Sequence, residues 1–329
     1  MAKTYNWGII GPGKIAHKFA KDLDKLPNAR LHAVASRSEE RARAFALQYG
    51  APYAYGSYEE ITACPDLDVV YIATPHTGHC GDTLMCLQAG IPVLCEKPLA
   101  INSAQVKEMV DAARAGETFL MEAIWTRFTP STVKALELIG HGAIGDVLSV
   151  KADFGFRPAF NPEGRLFNPA LGGGSLLDIG IYPVFLALLA LGRPAEIEAL
   201  AYIGPTGVDE EVGMLFKYKD GQLAHLHSTI RSFTKTEAFI YGERGAIHLH
   251  TRWHEPTTLS LILEDRRPQD FRFDYHTNGY SYEAEEVMHC LDHGLKESPL
   301  LPLSFSQGLM ATLDAVREKI GLRYPEDER

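Results

Sequence analysis

Trp7-Gly8-Ile9-Ile10-Gly11-Pro12-Gly13-Lys14-Ile15-Ala16 begins a pattern that continues, after a helix-like run, with Leu31-His32-Ala33-Val34-Ala35-Ser36-Arg37-Ser38. A short apolar run enters a glycine-rich turn, a helix leaves the turn, and a second apolar run follows. This order is typical of the βαβ unit that binds a dinucleotide. Gly11 permits the tight turn, Gly13 leaves room for a pyrophosphate, and Ala16 lets the helix approach the strand. The alternative is a glycine turn in another kind of α/β protein, but strand, helix and strand have the expected spacing.

The start of this helix and the end of the second strand are the predicted cofactor contacts. Amide groups at Lys14 and Ile15 are expected to face the phosphates, because the helix dipole favours negative charge there. The second strand ends at Ser36, where an NAD-binding chain usually has a carboxylate, and Arg37 and Arg41 follow. Guanidinium groups bind a 2′-phosphate bidentately. The sequence therefore favours NADP over NAD, and the alternative is that both arginines are solvated charges.

The composition indicates a globular protein. Its 329 residues suggest two domains, and the 46% hydrophobic content is enough for large cores. Five scattered cysteines without a C-x-x-C pair and the absence of a leader-like start predict reduced thiols and a cytoplasmic location. The most apolar run, Ile179 to Leu191, is expected to be too short for a membrane span. A net charge of −10 without a basic cluster argues against nucleic acid or an anionic membrane as partner.

Strand-like and helix-like segments alternate through residues 1–123, which predicts an α/β dinucleotide-binding domain with a doubly wound parallel sheet. Residues 124–329 carry strand-like runs with turn signals at Asp220-Gly221 and Arg244-Gly245 and several helices. They are predicted to form an α+β domain with a mostly antiparallel, open-faced sheet. The predicted strands are 68–74, 91–96, 118–121, 148–156, 258–263 and 271–275, and the predicted helices are 41–49, 57–62, 79–90, 103–115, 175–191, 282–296 and 305–320.

Parallel sheets of this kind bind ligands at the carboxyl ends of their strands. The residues that the sequence puts there are Thr74, His76, Glu96, Lys97, Glu122 and Trp125, and Pro75 and His79 of the loop 74–79 are further predicted cofactor contacts. Glu96-Lys97-Pro98 places a lysine at the mouth of the predicted cofactor crevice, and the proline suggests an unusual backbone such as a cis peptide bond. The alternative is a surface lysine on a βα loop.

Three glycines, Gly172 to Gly174, precede a predicted helix, so the backbone there can approach a ligand closely. On that helix Asp178 and Tyr182 are four residues apart and share one face, and Pro183 is expected to kink the helix just after them. An ammonium group near a phenol stabilises the phenolate, so Lys97 would let Tyr182 take or give the proton that accompanies hydride transfer. The alternative is an acid at a helix start and an ordinary buried tyrosine.

Together these motifs resemble those of the Gfo/Idh/MocA family of dinucleotide-dependent oxidoreductases, over essentially the whole chain. The resemblance rests on Glu96-Lys97-Pro98, a hallmark of the family, and on residues 11–16, 35–37, 74–79, 121–128 and 172–182. The segment Asp178-Ile179-Gly180-Ile181-Tyr182 resembles the dimeric dihydrodiol dehydrogenases, which also oxidise D-xylose with NADP. Most relatives have histidine where Tyr182 stands, so histidine-based proton transfer does not carry over, whereas the dihydrodiol type uses this tyrosine.

The resemblance implies an NADP-dependent dehydrogenase that acts on a secondary alcohol of a sugar or a cyclic diol. It implies that Lys97 and Tyr182 are the catalytic pair and that Asp178 orients the substrate or the pair. The cofactor and substrate contacts that it implies are Arg37 and Arg41 at the 2′-phosphate, Trp125 and Arg127 near the nicotinamide, and Phe154 in the wall of the substrate pocket. From the residues alone, Phe154 and Phe156 are equally well explained as a core stripe on one strand face.

Two further hypotheses follow from the sequence. The histidine pairs 76/79, 225/227, 248/250 and 289/293 have no carboxylate or cysteine that completes a ligand set, so we expect no metal, and His76 and His79 are expected to line the crevice. A protein of this fold could instead sense the dinucleotide as a regulator, but such relatives typically lose the lysine or the acid/base residue, and this chain keeps Lys97, Asp178 and Tyr182. The open face of the second sheet predicts a homodimer or a dimer of dimers.

Overall fold

The computed structural model describes residues 3–328, which form two compact units. The first unit comprises the chain up to Phe128 together with Tyr275–Gln307, and the second comprises Thr129–Asp274 and the chain from Gly308 onward. The sequence predicts a boundary at residues 123/124, with everything beyond it in the second domain. The structure differs from that division, because a late segment of the chain completes the first unit.

The strands and helices have the following bounds. The strands are β1 Tyr5–Ile10, β2 Ala29–Ala35, β3 Tyr53–Tyr55, β4 Val69–Ile72, β5 Val93–Glu96, β6 Leu120–Ala123, β7 Val147–Gly155, β8 Glu196–Ile203, β9 Asp209–Lys217, β10 Leu223–Thr229, β11 Ala238–Gly242, β12 Gly245–Leu249, β13 Leu259–Leu263 and β14 Gln269–Phe271. The helices are α1 Lys14–Leu23, α2 Glu39–Tyr49, α3 His79–Gln88, α4 Ser103–Ala115, α5 Pro130–Gly140, α6 Ile181–Leu191, α7 Ser281–Asp292 and α8 Leu303–Ile320.

In the first unit six parallel strands are arranged in the order β3-β2-β1-β4-β5-β6. This is the strand order of the dinucleotide-binding doubly wound sheet, so the predicted fold class is confirmed. All six residues of β1 and all four of β4 are buried, as expected for parallel strands that are covered on both faces. The order reverses between β1 and β4, and ligands bind in such sheets at the carboxyl ends of these strands.

Helix bounds in the first unit follow local signals. The predicted helix 103–115 is confirmed with the same bounds. It begins after Asn102 because the Asn102 side chain caps the first turn, accepting the Gln105 N–H at 3.0 Å. The helix that contains Arg41 ends before Gly50, as predicted, and Gly50 has the left-handed φ of 73° that favours glycine.

The segment Tyr275–Gln307 is fixed to the start of the chain by side-chain hydrogen bonds. The Asp22 carboxylate on α1 accepts the main-chain N–H groups of Asn278 and Tyr280 at 2.9 and 2.8 Å. The Tyr5 hydroxyl on β1 donates to Asp292 at 2.6 Å. These contacts join residues more than 250 positions apart. No local pattern in the sequence indicates them, which is why the sequence placed α7 in the second domain.

The second unit is built on an eight-stranded sheet in the order β14-β13-β12-β11-β7-β10-β9-β8. The β7–β10 pair is parallel and the other pairs are antiparallel, so the predicted mostly antiparallel sheet is confirmed. The predicted hairpins are present: β9 and β10 pair across the turn at Gly221, whose φ is +89°, and β11 pairs with β12. The strand expected at 271–275 lies earlier, at Gln269–Phe271.

One expectation about length is wrong. The helical stretch Pro169–Leu191 is long and apolar enough to cross a membrane by length and composition, whereas the apolar run visible in the sequence is only Ile179 to Leu191. Most of this stretch is buried inside the protein, as in the core helix of a globular domain. Its path also differs from the prediction: residues Leu176–Gly180 form a π-helical turn and α6 begins at Ile181. Pro183 therefore lies in the first turn of α6, where a proline is tolerated.

Candidate active site

The glycine turn after β1 has the geometry of a phosphate site. Gly11 has a φ of +83°, and a Cβ there would lie 2.9 Å from Thr74 Cγ2 and 3.0 Å from the Ala73 main chain. At Gly13 the nearest atom to such a Cβ would be 3.9 Å away, so the space in front of this residue is open. No described side chain caps the start of α1, at Lys14 and Ile15. The main-chain N–H groups at the start of α1 and the open space in front of Gly13 fit the pyrophosphate of a dinucleotide.

The end of β2 carries the predicted arginines. Ser36 is buried, and its hydroxyl accepts the Ser38 N–H at 3.3 Å, while the Ser38 hydroxyl caps α2 by accepting the Arg41 N–H. Arg37 and Arg41 are exposed. Burial raises the pKa of the Tyr58 phenol, while hydrogen bonding to Arg37 and the charges of both arginines act in the opposite direction. The structure therefore brings two guanidinium groups and one phenol together beyond β2.

His79 joins two of the loops at the carboxyl ends of the strands. Its Nε2 lies 2.9 Å from the Thr74 carbonyl oxygen and its Nδ1 lies 2.8 Å from the Pro98 carbonyl oxygen. Burial, together with the Lys97 ammonium, outweighs these two contacts and lowers the pKa of His79 to about 4. The ring of His76 lies 5.8 Å from that of His79. Thr74 is held in addition by its hydroxyl, which donates to Asp82 at 2.7 Å.

Lys97 follows β5 and lies among buried acids. The Lys97–Pro98 peptide bond is cis, as the sequence suggested. The Glu96 carboxylate accepts the Tyr71 hydroxyl and, at 3.2 Å, the Lys97 main-chain N–H. Glu122 accepts the Leu99 N–H at 2.9 Å, and burial raises its pKa to about 7 although the Lys97 charge acts against the shift. Lys97 is thus set beside Glu122 and His79 by the main chain around it.

Trp125 and Arg127 are tied to the late segment of the first unit. The Trp125 ring stacks on Tyr280, with ring centroids 4.2 Å apart and planes 9° apart. Arg127 Nε donates to the Leu300 carbonyl oxygen at 2.8 Å. Neither Tyr280 nor Leu300 is among the sequence-predicted residues, because both lie in the segment Tyr275–Gln307, which is far along the chain from Trp125.

In the second unit, Tyr182 belongs to a cluster of aromatic rings. It is 6% exposed, and its ring centroid lies 5.7 Å from Phe154 on β7 and 5.1 Å from His254. Phe154 also stacks on His254 at 4.0 Å. Phe154 and Phe156 are partly buried against a core cluster of Phe167, Ile179 and Ile230. Phe154 therefore contacts both Tyr182 and the core, so the two interpretations offered by the sequence are compatible.

Asp178 has a partner that the sequence did not indicate. The Arg165 guanidinium donates to both carboxylate oxygens of Asp178, at 2.8 and 3.2 Å. Asp178 is buried, whereas the Arg165 side chain is 53% exposed. A bidentate pair of this kind fixes the plane of the carboxylate. Arg165 precedes Asp178 by thirteen residues in an irregular loop, so neither strand nor helix spacing points to it.

Asp209 holds the turn that carries Asp178. Its Oδ2 accepts the Ser175 hydroxyl at 2.8 Å and the Leu176 N–H at 2.6 Å, at the start of the π-helical turn. A Cβ at Gly174, which has a φ of +120°, would lie 2.1 Å from Asp209 Oδ1, so glycine is required there. The Tyr324 hydroxyl donates to the Gly173 carbonyl oxygen at 2.5 Å. Burial raises the pKa of Asp209 to about 7.

The predicted site residues thus fall into two groups. The first unit brings together the glycine turn, Thr74, His76, His79, Glu96 and Lys97 at the strand ends. The second unit brings together Phe154, Asp178 and Tyr182. Among the described residues, no group of three or more His, Cys, Asp or Glu side chains is arranged to hold a metal ion.

This fold and these groups define a dinucleotide-dependent oxidoreductase with a Rossmann domain. Residues 5–123 match the model of the oxidoreductase family with an NAD-binding Rossmann fold, and residues 132–248 match the GFO/IDH/MocA C-terminal domain. The chain belongs to the GFO/IDH/MocA family, and the resemblance stated from the sequence is confirmed.

Relatives match over nearly the full chain. Trans-1,2-dihydrobenzene-1,2-diol dehydrogenase from Mus musculus is 41% identical over 98% of this chain and 99% of its own length, and the Homo sapiens protein of the same name is 39% identical over the same shares. A 3-ketoreductase from Actinomadura kijaniata, solved in complex with NADP and TDP-benzene, has a TM-score of 0.86 and 25% identity over 97% of this chain and 98% of its own. An aldose-aldose oxidoreductase from Caulobacter crescentus shares the fold, with a TM-score of 0.87 and 24% identity over 99% of each chain.

Proposed function

We propose that the protein is an NADP-dependent dehydrogenase that oxidises a secondary alcohol of a cyclic diol or a sugar to the ketone or lactone level. The observation that carries the proposal is the full-length similarity to trans-1,2-dihydrobenzene-1,2-diol dehydrogenases, in a chain that has both Lys97 and Tyr182. A regulator that only senses the dinucleotide needs neither residue, which makes it the weaker candidate. Five cysteines that are all free and buried support a reducing, cytoplasmic location.

In the proposed reaction Tyr182 is the general base. Its phenolate takes the proton of the substrate hydroxyl, and the carbon–hydrogen bond breaks with both electrons leaving as hydride. Bound NADP supplies the hydride acceptor. Lys97 donates to the substrate oxygen and favours the phenolate through its charge. The products are the carbonyl compound, the reduced cofactor and the protonated phenol, which returns its proton to solvent.

The remaining residues bind and orient. Asp178, fixed by Arg165, accepts a second hydroxyl of the diol or sugar, and Phe154 packs against the substrate ring. Gly11, Gly13 and the start of α1 would hold the pyrophosphate. Arg37 and Arg41, with Ser36, would hold the 2′-phosphate. Thr74, Pro75, His76 and His79 would line the cofactor site near Glu96, and Trp125 and Arg127 would lie near the nicotinamide.

The function is tested by mixing the protein with NADP and a panel of aldoses, cyclohexane-1,2-diol and trans-dihydrobenzenediol while the NADPH absorbance is followed. We expect turnover with at least one compound, and a loss of at least 100-fold in kcat for Tyr182→Phe and for Lys97→Met. Matched controls are Tyr241→Phe on β11 and Lys107→Met on α4, which alter an exposed tyrosine and an exposed lysine. Near-normal turnover of Tyr182→Phe would remove this residue from the mechanism, and NADP binding without turnover of any compound would favour the regulator.

The choice of cofactor is tested separately, by titrating NADP and NAD into the protein. We expect Arg37→Asp to weaken NADP binding roughly 10- to 100-fold, because the carboxylate repels a 2′-phosphate that the guanidinium attracts, and to leave NAD binding nearly unchanged. Arg43→Asp is the control, since Arg43 is exposed on α2 and pairs with Glu39. Equal losses for both cofactors would mean that Arg37 supports the fold rather than the phosphate.

A further inference from the structure

His254 is a titratable ring inside the aromatic cluster of the second unit. It lies in the connection between β12 and β13, is 4% exposed, stacks on Phe154 at 4.0 Å and 28°, and lies 5.1 Å from Tyr182. The preceding residue anchors this connection: Trp253 Nε1 donates to the Asp153 carbonyl oxygen at 3.0 Å. The position of the imidazole beside the proposed base is therefore set by β7 and by its own loop.

A charged side chain of the same loop, Glu255, faces the imidazole, and Arg252 in turn pairs with Glu255. The Glu255 carboxylate lies 3.5 Å from His254 Nε2, and Arg252 Nε donates to Glu255 at 2.8 Å. Burial raises the pKa of Glu255, but the hydrogen bonds from His254 and Arg252 outweigh burial, and its pKa falls to about 2. Glu255 is thus ionised throughout the working pH range. A carboxylate at this distance favours the charged form of an imidazole.

The other groups around His254 are identified by the elements that carry them. From β7 come the neutral Phe154 ring and Asp153, whose carboxylate is engaged by the main-chain N–H groups of Thr236 and Glu237 at 3.0 and 3.3 Å. From α6 comes Tyr182. A positive ring about 5 Å from a phenol favours the phenolate, and the attraction is large where water is excluded.

We propose that His254, held by Glu255 and Arg252, is a positioning residue that favours the ionised form of Tyr182 and fixes its ring against Phe154. This rests on the proposed function, in which Tyr182 takes the hydroxyl proton. A hydrophobic ring would fill the same space without bringing a charge and a carboxylate partner into a buried aromatic cluster. His254 is absent from the sequence-predicted set, because its neighbours in the chain form no catalytic motif.

The chain contains a matched control for this arrangement. His248 on β12 stacks on Phe239 at 4.0 Å and 9°, and its Nε2 lies 3.6 Å from the Glu237 carboxylate. It reproduces the ring stacking and the acidic partner of His254 in the same unit. Among the residues that the structure describes, its ring contacts are with Phe239 and His250, and not with Tyr182. A variant of His248 therefore removes the same chemistry from a place where the proposal gives it no role in turnover.

The test is the pH dependence of kcat/KM for alcohol oxidation with saturating NADP, using the best compound of the panel. We expect the limb on which activity rises with pH to move upward by roughly 0.5–1 pH unit in His254→Phe and His254→Gln, because the charge that favours the phenolate is lost. Glu255→Gln should move it in the same direction by less, and His248→Gln should leave it unchanged. Cofactor binding, followed by tryptophan fluorescence, should stay within twofold of the wild type in every variant.

An unshifted limb in both His254 variants overturns the proposal. A shift in His254→Phe with a wild-type profile in His254→Gln shows that hydrogen bonding, not charge, matters, and overturns it as well. If the His254 variants do not fold, Glu255→Gln decides, since it leaves the ring in place: no shift there contradicts the role of the charge. Failure of the proposed function has a different signature, because Tyr182→Phe would then remain active.

Discussion

At the scale of single residues, His79 shows how burial sets the charge of a side chain. Two carbonyl oxygens face its ring nitrogens and favour the charged form, yet burial and the nearby Lys97 ammonium hold its pKa at about 4. The ring is therefore neutral at physiological pH. A neutral imidazole has one N–H, so it donates to one of the two carbonyl oxygens, of Thr74 or of Pro98, and adds no cation beside Lys97.

His79 makes stability depend on acid in a defined direction. Its pKa is about 4 in the folded protein and 6.5 in the unfolded chain, so its contribution is fully present above pH 6.5 and is lost as the pH falls from 6.5 through 4. We expect His79→Gln to lower the free energy of unfolding by about 1–3 kcal/mol at pH 7.5, because a buried carbonyl loses its partner. The difference between wild type and variant should shrink between pH 6.5 and 4 in urea titrations, and a difference that grows toward acid pH would contradict this.

Some of the residues at the candidate site have a local sequence signature and others have none. Gly11, Gly13 and Lys97 could be chosen from the chain because a glycine turn or a strand end has a local signature. Arg165 and His254 could not, because the contacts of Arg165 with Asp178 and of His254 with Tyr182 are made across loops of irregular length. Tyr280 could not either, since stacking on Trp125 requires the chain to return to the first unit.

At the scale of elements, the sequence predicted helices well where caps are local and strands less well where they are short. Helix α4 has its cap at Asn102 and its end at Gly116, and both signals are visible in the chain. Strand β3 has only three residues and was not predicted. The sequence predicts ordinary helix at the π-helical turn Leu176–Gly180; Asp209 from β9 accepts the Leu176 N–H at the start of this turn, and no local pattern indicates that contact.

Asp209 is expected to control the element that carries Asp178. We expect Asp209→Ala to lower kcat at least 10-fold with unchanged NADP binding, because the Ser175 and Leu176 donors lose their acceptor and the turn shifts. Asp209→Asn keeps a carbonyl oxygen and should lose less. The control is Glu297→Gln, another carboxylate that accepts a main-chain N–H, that of Leu303 at the start of α8. A parallel loss of cofactor affinity would point to general unfolding.

Asp209 also makes the free energy of unfolding depend on pH, in the direction opposite to that of His79. The pKa of Asp209 is about 7 in the folded protein and 3.8 in the unfolded chain, so the folded state holds the proton more tightly. The contribution of Asp209 to the free energy of unfolding therefore falls as the pH rises from 3.8 to 7. In Asp209→Asn this part of the pH dependence should be absent. Melting temperatures of both proteins between pH 4 and 7 provide the comparison.

At the scale of the whole molecule, we propose that two copies associate through the exposed face of the second unit's sheet. A row across this face runs from Glu198 through Leu215 and His225 to Lys151, which are neighbours in register. Leu200 on β8 is 85% exposed. An isologous contact covers such side chains, and in it the acidic end of one row can meet the basic end of the other.

Light scattering tests this assembly. We expect the wild type to have twice the mass of the 36.4 kDa chain and Leu200→Glu to shift toward the single-chain mass, because a carboxylate would be buried without a partner. Leu47→Glu is the matched control, since Leu47 is 86% exposed on α2 of the other unit. A wild type that remains a single chain at high concentration would contradict the proposal.

The division of the first unit into two stretches of chain has a consequence for biosynthesis. Among the described residues, the Asp22 carboxylate and the Tyr5 hydroxyl have their hydrogen-bond partners in the segment Tyr275–Gln307. A ribosome delivers that segment after it has delivered nearly all of the second unit. All six strands of the first sheet are synthesised early, whereas β1 and α1 receive these hydrogen-bond partners late, so we expect the first unit to be completed only after most of the second unit has been made.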